Sequence, residues 1–278
     1  MIVDHHIHLF PEACSEDPIA FAEKHFEPHW QDLVAPPGRK SLQGWASVDA
    51  CLQDMDSAGV EMAWLLGWYW EQADTCRLHN AYYADILQLW PGRFNALACY
   101  HPQLVHEEGP DAWVERIWAD GFIGVGELLP QVQGFDLTDH AFARVLDMIG
   151  ERDGWVNFHV TEPVGRTYPG RVDTPLQPFV DLARRHPKTQ FILSHLGGGI
   201  AFFLDNPVAR KGLNNLFIDT AAWPLIYSES AVKAAIQLAG QKRVLYGTDY
   251  PLRVFPKLGR EQQMKANRER WLSMIKPH

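Results

Sequence analysis

At 278 residues, 46% hydrophobic and 21% charged, the chain is long enough to bury a sizeable core as one large α/β unit. Its formal charge of −9 argues against a surface built to hold nucleic-acid phosphates, and no run approaches the roughly 18 apolar residues of a membrane span. The start MIVDHHIHLF lacks the features of a signal peptide, and Cys14, Cys51, Cys76 and Cys99 form no C-x-x-C pair, so a cytoplasmic protein without a disulfide framework is expected.

Short apolar runs alternate with segments of helical spacing along the chain. The first run, 1–6, leads into a long connection, 11–44, carrying Pro11, Pro18, Pro28, Pro36 and Pro37. A loop of that length is usually functional; it either roofs a site or packs as a surface excursion. A helix is expected over 47–58, opened by a Ser47 cap and closed at Gly59. Run 61–68 precedes a helix over 75–89, with Leu78, Tyr82, Ile86 and Leu89 on its apolar face and a stop at Pro91. Run 94–100, helix 111–119, run 122–127 and helix 137–152, opened by Thr138, follow in order. Then come run 155–159, helix 175–186, run 190–195, helix 200–213, run 216–219, helix 228–239, run 243–249 and helix 260–275.

The runs are too continuously apolar for a one-sided sheet, which calls for parallel strands covered by helices. Eight such units fit a single domain over 1–278, a distorted (β/α)8 TIM barrel with a long β1–α1 loop. An open doubly wound sheet is the alternative, although no G-x-G-x-x-G follows the first run.

In a barrel, the C-terminal strand ends converge on one mouth. Here those ends carry His6 and His8, Trp68, His101, Glu127, His159, His195, Asp219 and Asp249. His6 and His8 are two apart, so on a strand they share a face and can share a divalent ion. His159 ends the run WVNFH and His195 ends FILSH, which brings four imidazoles to one mouth. Asp249 lies in the apolar context VLYGTDYPL, where a buried carboxylate needs a metal or histidinium partner. Glu127 reads as a second or bridging ligand, a proton-transfer group, an orienting partner for an imidazole, or an ion-paired mouth residue. Trp68, Tyr69, Trp70, Trp223 and Tyr227 could wall a pocket or anchor loops, and Arg253 could clamp an anion or sit on the surface.

D-x-H-x-H at 4–8, a His on the fifth run, a His followed by glycines on the sixth, and T-D-x-P at 248–251 together resemble the amidohydrolase superfamily. The chain is most similar to its amidohydrolase-2 (amidohydrolase-related) group of TIM-barrel metal-dependent hydrolases. That resemblance implies His6, His8, His159 and Asp249 as ligands, usually of zinc. It implies His195 as a catalytic acid/base or electrophilic group rather than a primary ligand in mononuclear members. The group includes lactone and amide hydrolases and also non-oxidative decarboxylases of aromatic or unsaturated acids. G-x-G-E at 124–127 and His101–Pro102 are similar to TatD-type hydrolases, in which the strand-four Glu bridges two metals.

The expectation is therefore a hydrolase in which one or two Zn2+ ions activate water against a small polar or anionic ester, lactone or amide. Asp249 and His195 would be catalytic, while His6, His8, Glu127, His159 and Asp249 would bind metal. His101, Trp68, Trp223 and Arg253 would contact the substrate. A decarboxylase, a TatD-like phosphoesterase or nuclease, and a non-catalytic metal-binding barrel are the alternatives. The expected partner is a small molecule, with no nucleic acid and no membrane; homo-oligomerisation is left open.

Overall fold

The computed structural model describes residues 1–275. Eight parallel strands follow one another: β1 (Val3–Ile7), β2 (Met62–Leu66), β3 (Phe94–Leu97), β4 (Gly124–Leu128), β5 (Trp155–Phe158), β6 (Gln190–Leu193), β7 (Leu216–Asp219) and β8 (Val244–Leu245). They pair in chain order as β1-β2-β3 and β4-β5-β6-β7-β8. Narrower contacts join the two sheets at both seams. Ala98 bridges Val125, where the Ala98 amide donates to the Gly124 carbonyl at 2.9 Å and the Gly126 amide to Ala98 at 3.0 Å. Ile7 bridges Tyr250, where the His8 amide donates to Tyr250 at 2.7 Å and the Asp249 amide to His6 at 2.9 Å.

One small core cluster makes the barrel interior visible. It draws on Val3, Trp64, Leu66, Leu97, Trp155, Ile192, Phe217 and Leu245, with Ile123 entering β4, so every strand contributes and no helix does. Trp155 packs edge-on against Trp64 at 5.2 Å and at a tilt against Phe217 at 5.2 Å, filling the floor. The larger core lies between the strands and the surrounding helices, as parallel strands buried on both faces require.

The local signals hold in several places and shift in others. Ser47 caps the helix Val48–Ala58 by accepting from the Ala50 amide, and Gly59 ends it at a φ of 63°. Asp139, not Thr138, caps the helix His140–Gly150, because its carboxylate reaches the Phe142 amide at 2.9 Å. The single helix expected over 200–213 is two short ones, Ala201–Leu204 and Pro207–Arg210. Asn206 accepts from the Val208 and Ala209 amides and so starts a new helix with Pro207 in its first turn. The last strand is shorter than the run 243–249, because the chain turns after Leu245 to present Asp249.

The long connection carries three helices, Glu12–Glu16, Pro18–His25 and Pro28–Val34. It is pinned to loops leaving three other strands. The buried Glu27 carboxylate accepts the Glu71 and Gln72 amides at 2.7 and 3.1 Å. The His29 ring meets the Gly170 carbonyl at 2.8 Å, and Arg253 donates to the Ser41 carbonyl at 2.5 Å. The connection thus crosses the C-terminal ends of the barrel strands. Among the described residues, no helix is long and apolar enough to cross a membrane.

Candidate metal centre

Backbone features around the mouth place each functional side chain. Asp4 is fully buried and accepts from the Thr248 hydroxyl at 2.6 Å, the Thr248 amide at 3.0 Å and the His6 amide at 3.2 Å. It therefore ties the D-x-H-x-H segment to the T-D-x-P segment across the closing seam. Gly247 must be small, since a Cβ there would lie 2.8 Å from the Cβ of His6. Gly126, at a φ of 145°, lets β4 approach β5: a Cβ would lie 2.7 Å from that of Asn157. The register of β1 on β2 slips between Asp4 and Ile7. His5 packs on Trp64 of the floor, while His6 stands among Ser194, Asp219 and His8 above it.

Six side chains then gather in two triads. His6, His8 and Asp249 form the first: the two Nε2 atoms are 3.1 Å apart, and Asp249 Oδ1 lies 3.7 Å from His6 and 3.6 Å from His8. Glu127, His159 and His195 form the second, with Glu127 Oε1 3.2 Å from His159 Nδ1 and 3.5 Å from His195 Nε2. The other oxygen of Glu127 is 3.8 Å from His8 Nε2, so one carboxylate faces both triads. Of the six side chains, His159 and Asp249 are the most open to solvent, keeping 17% and 13% of their surface.

The far ring nitrogens are committed. His6 Nδ1 donates to Asp219 Oδ2 at 2.8 Å, His8 Nδ1 to the Leu66 carbonyl at 3.0 Å, and His195 Nδ1 to the Ala221 carbonyl at 3.0 Å. Each therefore presents Nε2 inward, which is how imidazoles that bind metal are held. The mixed set of imidazoles and carboxylates suits a divalent transition-metal ion.

Electrostatics reinforce this arrangement. Burial alone would lower the His6 pKa, but the Asp219 carboxylate overrides it and pushes His6 up to about 10. Burial and the neighbouring His6 charge hold His8 down at about 4. His195 is desolvated too, yet its bond to Glu127 raises it to about 9. Burial opposes ionisation of Glu127, but the His159 and His195 rings and the His6 charge hold its carboxyl well below the usual range. Without an ion, then, the His6 Nε2 proton bonds to the neutral His8 ring.

The remaining candidates are placed differently. Trp68 packs edge-on against His8 at 5.2 Å and stacks on Tyr69 at 4.5 Å; Tyr69 lies 5.3 Å from the His159 ring. These two aromatics wall the centre. His101 stands outside both triads: Nδ1 accepts from the Gln103 amide, capping the helix Pro102–Glu108, and Nε2 donates to the Glu71 carbonyl. Arg253 anchors the long connection. Trp223 bonds to Asn267 at 3.4 Å and borders a cavity of about 520 Å³ with Tyr227, Phe255 and Arg270, formed by none of the six triad residues. Asp219 appeared in the sequence only as a polar strand end. Its contact with His6 spans 213 positions and leaves no local signal.

The sequence matches the family model described as Amidohydrolase over residues 3–272. No curated protein matches it. Among solved structures, the chain is similar to 5-carboxyvanillate decarboxylase from Sphingomonas paucimobilis, with 17% identity, 99% and 93% of the two chains covered, and a TM-score of 0.66. It is also similar to a probable 2-pyrone-4,6-dicarboxylic acid hydrolase from Acinetobacter baumannii, with 14% identity, 98% and 92% coverage, and a TM-score of 0.61. A third is 5-carboxyvanillate decarboxylase from Novosphingobium aromaticivorans, complexed with manganese and 4-hydroxy-3-methoxy-5-nitrobenzoic acid, with 17% identity, 98% and 95% coverage, and a TM-score of 0.61. These likenesses bear on the fold, which is that of the TIM-barrel amidohydrolases.

Proposed function

Since the chain belongs to the amidohydrolase family, matched over residues 3–272, we propose that it is a metal-dependent hydrolase of a small polar or anionic ester, lactone or amide. The observation that carries this reading is the pair of donor triads facing the two oxygens of Glu127. His6, His8 and Asp249 would hold one divalent ion, and Glu127, His159 and His195 a second, with Glu127 shared. When bound, the metal supplies Lewis acidity and a water whose pKa falls from 15.7 toward about 7.

The chain's own residues supply the rest. Asp249 combines proximity to His6 and His8 with partial exposure, which supports a role in which its carboxylate would take a proton from attacking water and return it to the leaving group. With a single ion on His6, His8 and Asp249, His195, held by Ala221 with Nε2 on the inner side, would stabilise a developing oxyanion. Trp68 and Tyr69 exclude water from the wall beside His8 and His159.

Decarboxylation is the second reading, supported by the two 5-carboxyvanillate decarboxylases and the 2,6-dihydroxybenzoate decarboxylase of like fold. A carboxylate shared between two triads favours hydrolysis over it. Phosphoester chemistry of the TatD kind shares that carboxylate but has the net charge of −9 against it. The test is metal analysis of the purified protein, followed by a screen of esters, lactones, amides, phosphodiesters and unsaturated or aromatic acids, with products identified. Turnover that chelation removes and zinc or manganese restores, with a hydrolysed acid as product, supports the proposal. Carbon dioxide as the product, or full activity in chelator, overturns it.

A further inference from the structure

Three N–H donors converge on one buried carboxylate that the proposed chemistry does not use. Asp219 Oδ2 accepts from His6 Nδ1 at 2.8 Å, while Oδ1 accepts the backbone amides of His195 and Ala221, each at 3.0 Å. Each amide lies beside left-handed backbone, His195 at the end of β6 and Ala221 at the end of β7. His195 and Leu196 follow β6 at φ 58° and 56°, and Ala222 sits at φ 54° after Ala221. For residues with a β-carbon this left-handed region is unfavourable and needs holding by its surroundings. The two segments also meet at the His195 ring, whose Nδ1 donates to the Ala221 carbonyl at 3.0 Å.

We propose that Asp219 is the positioning residue for both halves of the metal centre, orienting the His6 imidazole through one oxygen and the turn that carries His195 through the other. The inference rests on the metal reading of the site. With Nδ1–H given to Asp219, only His6 Nε2 is free to ligate. With the His195 amide bonded, the left-handed turn that aims His195 at Glu127 and His159 has its buried donor satisfied.

An amide in place of the carboxylate cannot serve both arms. In Asp219→Asn the single oxygen can face the two backbone amides, which leaves NH2 against His6 Nδ1 and turns that nitrogen into an acceptor. The proton then resides on Nε2, where a ligand lone pair is needed. The opposite rotamer sets NH2 against two N–H groups. Asp219→Asn should therefore bind zinc 10- to 100-fold more weakly than wild type in chelator competition, the range that loss of such a partner produces.

A direct readout covers the case of a variant that does not fold. In the zinc-loaded wild-type protein, imidazole 15N spectra should show His6 protonated at Nδ1 and coordinated through Nε2. Unchanged zinc affinity in Asp219→Asn, or coordination through His6 Nδ1, overturns the proposal. A wild-type protein that takes up no divalent ion fails the metal reading separately. The hydrogen-bonded Nδ1 proton of metal-free His6 then decides the role of Asp219: its presence supports orientation by the carboxylate, and its absence overturns it.

Discussion

The seam between the first and last strands offers a sharp test, because its strength should depend on pH. Asp4 is fully buried, and desolvation raises its pKa from 3.8 to about 7, with the Thr248 hydroxyl and the amides of His6 and Thr248 opposing that rise. The raised value means that the folded protein holds this proton where the unfolded chain has released it. The associated stability is present below pH 3.8 and is lost as pH rises through 7, an effect on the order of 4 kcal/mol. Thr248→Val removes the 2.6 Å hydroxyl bond to Asp4 and the acceptor of the Tyr250 amide. At pH 8 the lost bond is to a carboxylate and costs about 1.5–3 kcal/mol, with about 1 kcal/mol more for the stranded amide. At pH 5.5 Asp4 is protonated and the bond is a neutral one, so the combined cost falls to about 2 kcal/mol. Urea unfolding of metal-free wild type and variant at the two pH values gives both differences. An equal penalty at both, or a larger one at pH 5.5, refutes this account of Asp4.

Metal affinity should rise with pH, because an ion must displace the Nε2 proton of His6, whose pKa is pushed up to about 10. Competition with a chromogenic chelator between pH 6 and 8 should show about a tenfold gain per unit for each proton displaced, and a flat profile contradicts the exchange. Two ions would add the His195 proton, released near pH 9, and steepen the slope toward two protons. Glu127→Gln should reduce the metal bound per chain by elemental analysis while the far-ultraviolet circular dichroism stays unchanged; full stoichiometry would remove Glu127 from the ligand set. Glu27→Ala leaves the Glu71 and Gln72 amides without acceptors and should cost about 2 kcal/mol. It should also speed protease cleavage within 11–44, whereas unchanged cleavage would mean that Glu27 does not hold the connection in place.

Much of this was legible in the chain because barrel strands carry a strong signal: continuous apolar runs that stop at polar residues. Ser47 and Gly59 marked a helix correctly because capping is local. Thr138 and Asp139 are adjacent candidates of similar chemistry, and only the backbone geometry selects the aspartate. His101 followed an apolar run just as His159 and His195 do. The Pro102 after it starts a helix that needs a cap, which takes Nδ1, while the Glu71 carbonyl on the loop after β2 takes Nε2. Arg253 stood near Asp249 in sequence, yet the long connection, more than two hundred positions away, claims its guanidinium. Long-range partners of this kind leave no mark on a single sequence.

The division into triads follows from the order of strands around a closed barrel. His6 and His8 leave β1 and Asp249 follows β8, and these strands are neighbours only because the sheet closes. Glu127, His159 and His195 leave β4, β5 and β6, which are consecutive. A ligand set of His6, His8, His159 and Asp249 would draw its third imidazole from across the mouth, whereas each triad draws on adjacent strands. Glu127 reaches from one group to the other, within 3.8 Å of His8. Asp219 sits on β7, the strand between β6 and β8, and bonds to a residue of each group. Any alternative in which the two triads act independently must explain why one buried carboxylate spans them at the mouth and a second braces them from beneath.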